Sequence, residues 1–307
     1  MKILLTGSNG MVGRNILEHR DSKLFTLVFP SSKELNLLNY GCVERYLKKI
    51  TPDLIIHAAG IVGGIQANMK EPVRFFLKNL DMGRNIVWAA RQCGVKKIIN
   101  LGSSCMYPRN AANPLREEYL LQGELEPTNE GYALAKIATV RLCEYIARET
   151  EDFQYKTLIP CNLYGRWDKF NPAYSHLIAA VIKKIHDAKM QGEKEVIIWG
   201  DGTARREFLF AGDLADCVLN AICQFDSLPS LMNVGFGSDY SINEYYDAVA
   251  EIVGYTGTFI HDLSKPVGMK QKLVHIGRQN KWGWHARTSL REGLGASYSF
   301  FLDQMNQ

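Results

Sequence analysis

Two segments of this 307-residue chain carry side chains that could act on a single carbonyl. Leu101-Gly102-Ser103-Ser104-Cys105-Met106-Tyr107-Pro108 supplies a hydroxyl and, two residues on, a thiol, and Tyr132-Ala133-Leu134-Ala135-Lys136 supplies a Tyr-x-x-x-Lys pair. On a helix, positions i and i+4 share a face, so the phenol and the ammonium can converge. A nearby lysine cation is expected to favour the phenolate and lower the tyrosine pKa. A phenol tuned in this way hands a proton to a developing alkoxide near neutral pH. Ser103 adds a hydroxyl for the same oxygen. The set suits reduction of a ketone or oxidation of an alcohol, and Cys105 is a reactive group that simple reduction does not require.

Tyr-x-x-x-Lys alone is more often a surface tyrosine above a solvated lysine. The N-terminus supplies the context. Met1–Thr6 reads as a buried strand, and Gly7-Ser8-Asn9-Gly10-Met11-Val12-Gly13 follows it directly, a Gly-x-x-Gly-x-x-Gly turn opening a helix near Arg14. Glycines let backbone N–H groups approach a pyrophosphate, and the helix N-terminus adds positive potential. The second strand ends in Phe29-Pro30-Ser31-Ser32-Lys33, where hydroxyls and a cation replace the carboxylate that would repel a 2′-phosphate. That ending predicts NADP(H), unless Glu34 swings in as the acidic residue.

Composition narrows the remaining classes. The net charge of +4 comes from scattered basic residues with no aromatic-basic stripe, which argues against nucleic acid and is compatible with anionic small ligands. Seven cysteines without Cys-x-x-Cys fit a reducing cytoplasm better than a disulfide framework, and seven scattered histidines show no metal-ligand spacing. No apolar run reaches membrane-spanning length, and the one at Met1–Leu5 breaks into Gly7-Ser8-Asn9-Gly10.

The elements that must position these groups are legible in outline. Strands are expected at Ile3–Thr6, Leu24–Phe29, Leu54–Ala58, Lys97–Leu101 and Tyr155–Pro160, with helices at Gly13–His19, Tyr40–Ile50, Pro72–Cys93 and Tyr132–Thr150. This alternation predicts an α/β fold, a doubly wound parallel-sheet Rossmann domain with ligands at the carboxyl ends of its strands. After Asn162 the pattern loosens. Glu195–Trp199, Arg206–Phe210 and Leu231–Gly235 read as strands, the last two returning to the first domain. Ser241–Val253 and Ser289–Leu302 read as helices around a basic loop. The expected division is a cofactor domain over 1–161 and about 206–240, and a smaller, discontinuous substrate-binding domain over about 162–205 and 241–307.

With these motifs in hand, the chain resembles the extended short-chain dehydrogenase/reductases, and within them the GDP-L-fucose synthase group. The matching stretches include Gly10-Met11-Val12-Gly13, Glu34-Leu35-Asn36-Leu37-Leu38, Val62-Gly63-Gly64-Ile65, Glu126-Pro127-Thr128-Asn129-Glu130, Asn162-Leu163-Tyr164-Gly165, Ser175-His176 and Arg206-Glu207-Phe208-Leu209. The resemblance implies NADPH-dependent reduction of the C4 ketone of a GDP-4-keto-6-deoxy sugar, preceded by C3/C5 epimerisation. Ser103, Tyr132 and Lys136 would then carry the reduction, and Cys105 and His176 would form the epimerisation acid/base pair. NADP(H) would lie against Gly7, Ser8, Asn9, Gly10, Met11, Val12, Gly13, Ser32, Lys33, Asn36, Leu37, Ala58, Ala59, Leu101, Gly102, Lys136, Pro160, Asn162, Leu163 and His176. The GDP-sugar would meet Ser103, Ser104, Cys105, Asn129, Asn162, Lys184, Trp199, Arg206 and Lys272. The long helices Pro72–Cys93 and Tyr132–Thr150 are candidates for the helix-bundle face of a homodimer, or are ordinary sheet-covering helices, and the resemblance implies a place in nucleotide-sugar biosynthesis for capsule or lipopolysaccharide.

Other readings keep part of this. A close alternative keeps C4 reduction, with or without C5 epimerisation, on a GDP-4-keto-heptose or a 3,6-dideoxyhexose. A different class would be a non-catalytic NADP-sensing regulator, against which the intact Ser103, Tyr132 and Lys136 argue. Departures from the group's pattern are Asn9 and Ser32 in place of arginines, Arg166 in place of proline and Val267 in place of aspartate.

Overall fold

The structure is a computed structural model describing residues 1–171, 175–265 and 268–305; Val267 lies outside the described residues. The first half runs β1 (Lys2–Thr6), α1 (Met11–Glu18), β2 (Thr26–Val28), α2 (Tyr40–Ile50), β3 (Leu54–His57), α3 (Ile65–Lys70), α4 (Pro72–Gln92), β4 (Lys97–Leu101), α5 (Glu130–Glu149) and β5 (Gln154–Pro160). There follow β6 (Asn162–Tyr164), α6 (Leu177–Gln191), β7 (Glu195–Trp199), β8 (Arg205–Arg206), β9 (Phe208–Phe210), α7 (Ala211–Cys223) and β10 (Leu231–Val234). The chain closes with β11 (Tyr240–Ser241), α8 (Ile242–Val253), β12 (Thr258–Asp262), β13 (Gln271–Lys272), α9 (Gly277–Trp282) and α10 (Leu290–Met305).

Six strands form one parallel sheet in the order β10-β5-β4-β3-β1-β2. Its central strands are buried and largely apolar because both faces are covered, with Thr6, His57, Asn100, Lys156 and Thr157 as buried polar residues among them. Successive residues of a strand point to opposite faces. Accordingly Ile3, Leu5, Ile56 and Ile99 pack with Ile16 of α1 and Val218 of α7. Leu4, Ile55 and Ile98, one residue out of step, pack with Val43 of α2 and Ile86 of α4. Each such side chain contributes about 1.5–3 kcal/mol by leaving water. This is the doubly wound Rossmann architecture expected from the alternating pattern. A separate apolar cluster gathers Ile182 of α6, Val196 of β7, Tyr245 of α8 and Phe301 of α10.

Several elements differ from the sequence expectation. Helix α1 begins two residues earlier than expected, because Gly10 is extended and its carbonyl already accepts the Arg14 N–H at 2.9 Å. Strand β2 is shorter, because Arg20–Leu24 folds into a 3₁₀ turn capped by the His19 ring, which accepts the Asp21 N–H. Arg206–Phe210 does not join the main sheet. It splits at Glu207 into β8, which pairs with β11 and β13, and β9, which pairs with β6. The basic loop contains β12, paired in parallel with β7, and β13. Strand β13 is two polar residues, and Thr258-Phe259-Ile260-His261-Asp262 of β12 does not alternate, so neither carries an apolar period.

The site-bearing helix α5 is seated by its contact with α4. A Cβ added at Gly83 of α4 would fall 2.0 Å from Thr139 Oγ1 of α5, so glycine permits the close approach. Gly83→Ala would gain up to about 1 kcal/mol of helix propensity. The overlap should cost roughly 1–3 kcal/mol and win. Urea unfolding should show net destabilisation, and a neutral or stabilising result would mean that the two helices have room to separate.

Candidate active site

All strands of the sheet run the same way, so the residues after β1, β3, β4 and β5 meet at one edge. Gly7 follows β1 with φ +75°, and a Cβ there would lie 2.6 Å from the Ala59 nitrogen and 2.7 Å from the Ala58 carbonyl oxygen. A Cβ on Gly13 would lie 2.4 Å from the Gly7 oxygen. Only bare backbone therefore lets β1, the end of β3 and the start of α1 come together. The Gly10 N–H closes the turn on the Gly7 carbonyl at 3.0 Å, and α1 has neither a side-chain cap nor an acid in its first turn. Its leading amides are left for an anion. Ser8 is buried, while Asn9 and Gly10 are exposed beside these amides and Met11 and Val12 are half-buried. The residues present thus fit a dinucleotide pyrophosphate.

The surrounding contacts stiffen this edge. Thr6 Oγ1 lies 2.9 Å from His57 Nδ1 and accepts the Ala59 N–H at 3.4 Å. Burial, with the Lys136 charge, drives the His57 pKa down to about 3, so the ring is neutral. Asn79 of α4 bonds both the N–H and the carbonyl of Ile61, fixing the loop after β3. Glu34 does not stand free at the end of the second strand. Its carboxylate accepts the Ser31 N–H and hydroxyl, each at 2.8 Å, beside the exposed Ser32 and Lys33. Asn36 Oδ1 accepts the Leu38 N–H, and the buried Leu37 is held by Asn85 through its carbonyl.

At the end of β4 the reactive side chains come together. Ser103 caps a 3₁₀ turn, its hydroxyl accepting the Cys105 N–H at 3.2 Å, and Ser104 is buried within that turn. Tyr132 and Lys136 face it from α5, both buried. Lys136 donates to the Leu101 carbonyl at 2.9 Å, across from Gly102, and burial lowers its pKa to about 8. The expectation that lysine depresses the tyrosine pKa does not hold. Burial, and next the charge of Cys105, push the Tyr132 phenol up, with only its hydrogen bond to Ser103 pulling it down. Desolvation of the phenolate outweighs the cation, which is turned to a carbonyl.

Cys105 Sγ accepts from two sides: Asn129 Nδ2 at 3.3 Å and Lys272 Nζ at 3.4 Å. His176 begins α6, and burial, then the charges of Lys169 and Lys272, lower its pKa. A Cβ on Gly64 would lie 3.0 Å from the Ser175 carbonyl, so the histidine loop packs over the loop after β3. Asn162, after Pro160 and Cys161, donates to the Glu207 carbonyl at 2.9 Å, and its neighbour Leu163 is half-buried in β6.

Arg206 and Lys272 are register partners on β8 and β13. Lys184 and Trp199 form a more distant group. The Lys184 ammonium bonds the Ile197 carbonyl, and Trp199, 46% exposed, has Lys265 Nζ 6.0 Å from its ring centroid. An open cavity of about 700 Å³ flanks β8 and β13, lined in part by Arg109, Asn113, Glu126, Arg205 and Lys270.

Some supporting residues gave no readable signal. Glu207 is wholly buried; its carboxylate accepts the Val274 and Gly237 N–H groups at 2.8 Å each and so anchors the chain just after Lys272. Asn79 was the more readable one, a polar residue on the buried side of α4. The departure at Arg166 also finds a reason. Its carbonyl accepts from Asn15 and its guanidinium lies 3.5 Å from Glu18, while Trp167 donates to Glu18 at 2.8 Å, so this loop docks on α1.

This geometry matches known proteins along nearly the whole chain. Residues 3–235 match the model of the NAD dependent epimerase/dehydratase family. The chain is 54% identical to a GDP-L-colitose synthase of Yersinia pseudotuberculosis, covering 100% of this chain and 99% of the relative. It is 46% identical to a GDP-L-fucose synthase of Azorhizobium caulinodans, covering 98% and 96%. Among solved structures, a GDP-mannoheptose C4 reductase from Campylobacter jejuni with NADP bound is 32% identical, with a TM-score of 0.88 over 98% of each chain. With the glycine turn, the Ser103–Tyr132–Lys136 cluster and these identities in agreement, the chain belongs to the NAD dependent epimerase/dehydratase family and, within it, to the GDP-L-fucose synthase group of extended short-chain dehydrogenase/reductases.

Proposed function

We propose that this enzyme reduces the C4 ketone of a GDP-4-keto-6-deoxy sugar after inverting one or more neighbouring carbons. The observation that carries the reading is the meeting of Ser103, Cys105 and Tyr132 at the end of β4, with two hydrogen-bond donors on the thiol. Hydride transfer to a ketone does not require a thiol, so its placement supports a second role.

The C4 ketone acidifies the hydrogens on C3 and C5. Cys105 removes one of them, its S–H having first lost its proton, and the C–H electron pair moves into the enolate. Tyr132 and Ser103 donate hydrogen bonds to O4, where the charge collects. His176 returns a proton to the carbon from the opposite face, inverting it. For the second reaction Tyr132 gives its phenolic proton to O4. NADPH, when bound along Gly7–Gly13, Lys136 and the loops after β3 and β5, supplies the hydride for C4. Lys136, Asn162 and the α1 amides would hold it, and Ser32 and Lys33 would face its 2′-phosphate. Asn129, Lys184, Trp199, Arg206 and Lys272 would hold the GDP-sugar.

The relatives named GDP-L-colitose synthase and GDP-L-fucose synthase support a GDP-linked sugar as substrate. Exposed Val73, Leu77 and Trp88 on α4, with Leu134 and Tyr145 on α5, support a homodimer through these helices. Seven free thiols support a cytoplasmic setting.

Proton NMR in deuterated buffer tests the epimerase half. With a GDP-4-keto sugar, the wild type should introduce deuterium at C5, and at C3 where that carbon bears an exchangeable hydrogen. Cys105→Ser should suppress this while ketone reduction continues, because serine yields far less conjugate base near neutral pH. Absence of exchange in the wild type across hexose, dideoxyhexose and heptose substrates would leave a reductase only. Unchanged exchange in the variant would clear Cys105 of the base role.

Cofactor choice follows from the engaged Glu34 and the open Ser32 and Lys33. NADPH should exceed NADH in kcat/KM, and Lys33→Ala should narrow the ratio chiefly through KM for NADPH. Equal efficiency of the two cofactors in the wild type would contradict the reading.

A further inference from the structure

Cys105 does not sit in a merely apolar pocket. Towards α3 and α4 it packs on a small apolar cluster with Ala67 and Phe75, neither of which titrates. On the other side its Sγ takes a hydrogen bond from the amide of Asn129 and one from the ammonium of Lys272. Lys272 is 9% exposed, so its charge is poorly screened by water. Among the described residues, the other titratable groups coupled to the thiol or to Lys272 are Tyr132 on α5, His176 at the start of α6 with Lys169 on the loop before it, and Cys161 after β5 with the buried Glu207 carboxylate. Lys272 is therefore the only cation given a hydrogen bond to the sulfur among the described residues.

The lysine is itself held in place. Its strand pairs with β8 in parallel, placing Lys272 opposite Arg206. The Leu273 N–H donates to Asn113 Oδ1 at 2.8 Å, and the Val274 N–H donates to the buried Glu207 carboxylate. The Glu207 N–H in turn donates to the Lys272 carbonyl at 3.1 Å. Three backbone contacts thus aim one side chain at one sulfur, while Asn129 approaches from the turn that leads into α5.

We propose that Lys272 is the positioning residue that holds Cys105 as a thiolate: its ammonium neutralises the sulfur anion, with the Asn129 amide as second donor, and so makes the base available near neutral pH. This rests on the reading of Cys105 as the epimerisation base, and it gives Lys272 a role beyond contact with the sugar nucleotide. No atom is transferred to or from Lys272. It stays an ammonium while the thiol proton leaves to solvent and while the sulfur later takes the proton from carbon.

The test needs neither substrate nor cofactor. The intact protein is treated with iodoacetamide across a pH series, and alkylation of each cysteine peptide is followed by mass spectrometry. Exposed Cys223 serves as the internal reference, and buried Cys143, Cys161 and Cys217 report unfolding. Near neutral pH, Lys272→Met should alkylate Cys105 about tenfold or more slowly than the wild type, because an adjacent opposite charge typically moves a titration by about 1–3 units. The rise of its rate with pH should shift to higher pH, and Lys272→Arg should restore most of the wild-type profile. If Lys272→Met exposes the buried cysteines, Lys272→Gln takes its place in the same comparison. Identical Cys105 profiles in the wild type and the folded neutral variant would overturn the proposal and leave Lys272 a role in substrate binding alone. A shifted profile in a protein that shows no deuterium exchange would uphold the charge pairing and instead remove the epimerase reading.

Discussion

The arrangement depends on one buried hydrogen bond, from the Lys136 ammonium to the Leu101 carbonyl at the end of β4. A lysine inside a protein is costly unless its charge is satisfied. Here the last carbonyl of a sheet strand satisfies it, which ties α5 to the sheet edge at a defined height. Tyr132, one helical turn earlier, is carried by that tie to the level of Ser103. The Gly83–Thr139 approach, further along the same helix, sets the distance from α4. Burial, and after it the Lys136 charge, keeps His57 neutral, and burial makes Lys136 release its own proton more readily than a solvated lysine.

Around this anchor the site divides its charges. The phenol of Tyr132 is kept protonated by burial, which suits a donor of protons and hydrogen bonds to O4. The thiol of Cys105 faces a cation and an amide instead, which suits a group that must carry negative charge. Two neighbouring acids thus meet opposite environments, one dry and one charged, and that contrast is what the proposed use of one oxyanion pocket for proton removal beside a ketone and for reduction of the same ketone requires.

The parallel sheet was legible because β1, β3, β4 and β5 each hold a short apolar run of strand length between helical patterns, and the glycine turn because its spacing repeats immediately after one of them. Ser103, Cys105, Tyr132 and Lys136 were legible as motifs, since each pair lies within one local element. The second half was harder. Strands β8, β11 and β13 are two residues long and polar, so they carry no period, and their pairing comes from Glu207 accepting distant backbone N–H groups. The pairing of Lys272 with Cys105 spans 167 positions and two elements, so no local spacing could announce it. The sign of the tyrosine shift was misjudged because sequence gives proximity but not burial, and here burial dominates.

The central claim is that Tyr132 serves both half-reactions from one oxyanion site. The direct measurement is Tyr132→Phe, assayed on one GDP-4-keto sugar for deuterium entry at C5 and for ketone reduction with NADPH, alongside a binding measurement for the cofactor. The phenyl ring preserves packing while removing the proton donor. Reduction should fall about 10²–10⁴-fold, and exchange should also fall, since the enolate oxygen loses a donor, while NADPH binding is retained. Wild-type exchange with reduction abolished would contradict the shared site and assign enolate stabilisation to Ser103 or another group.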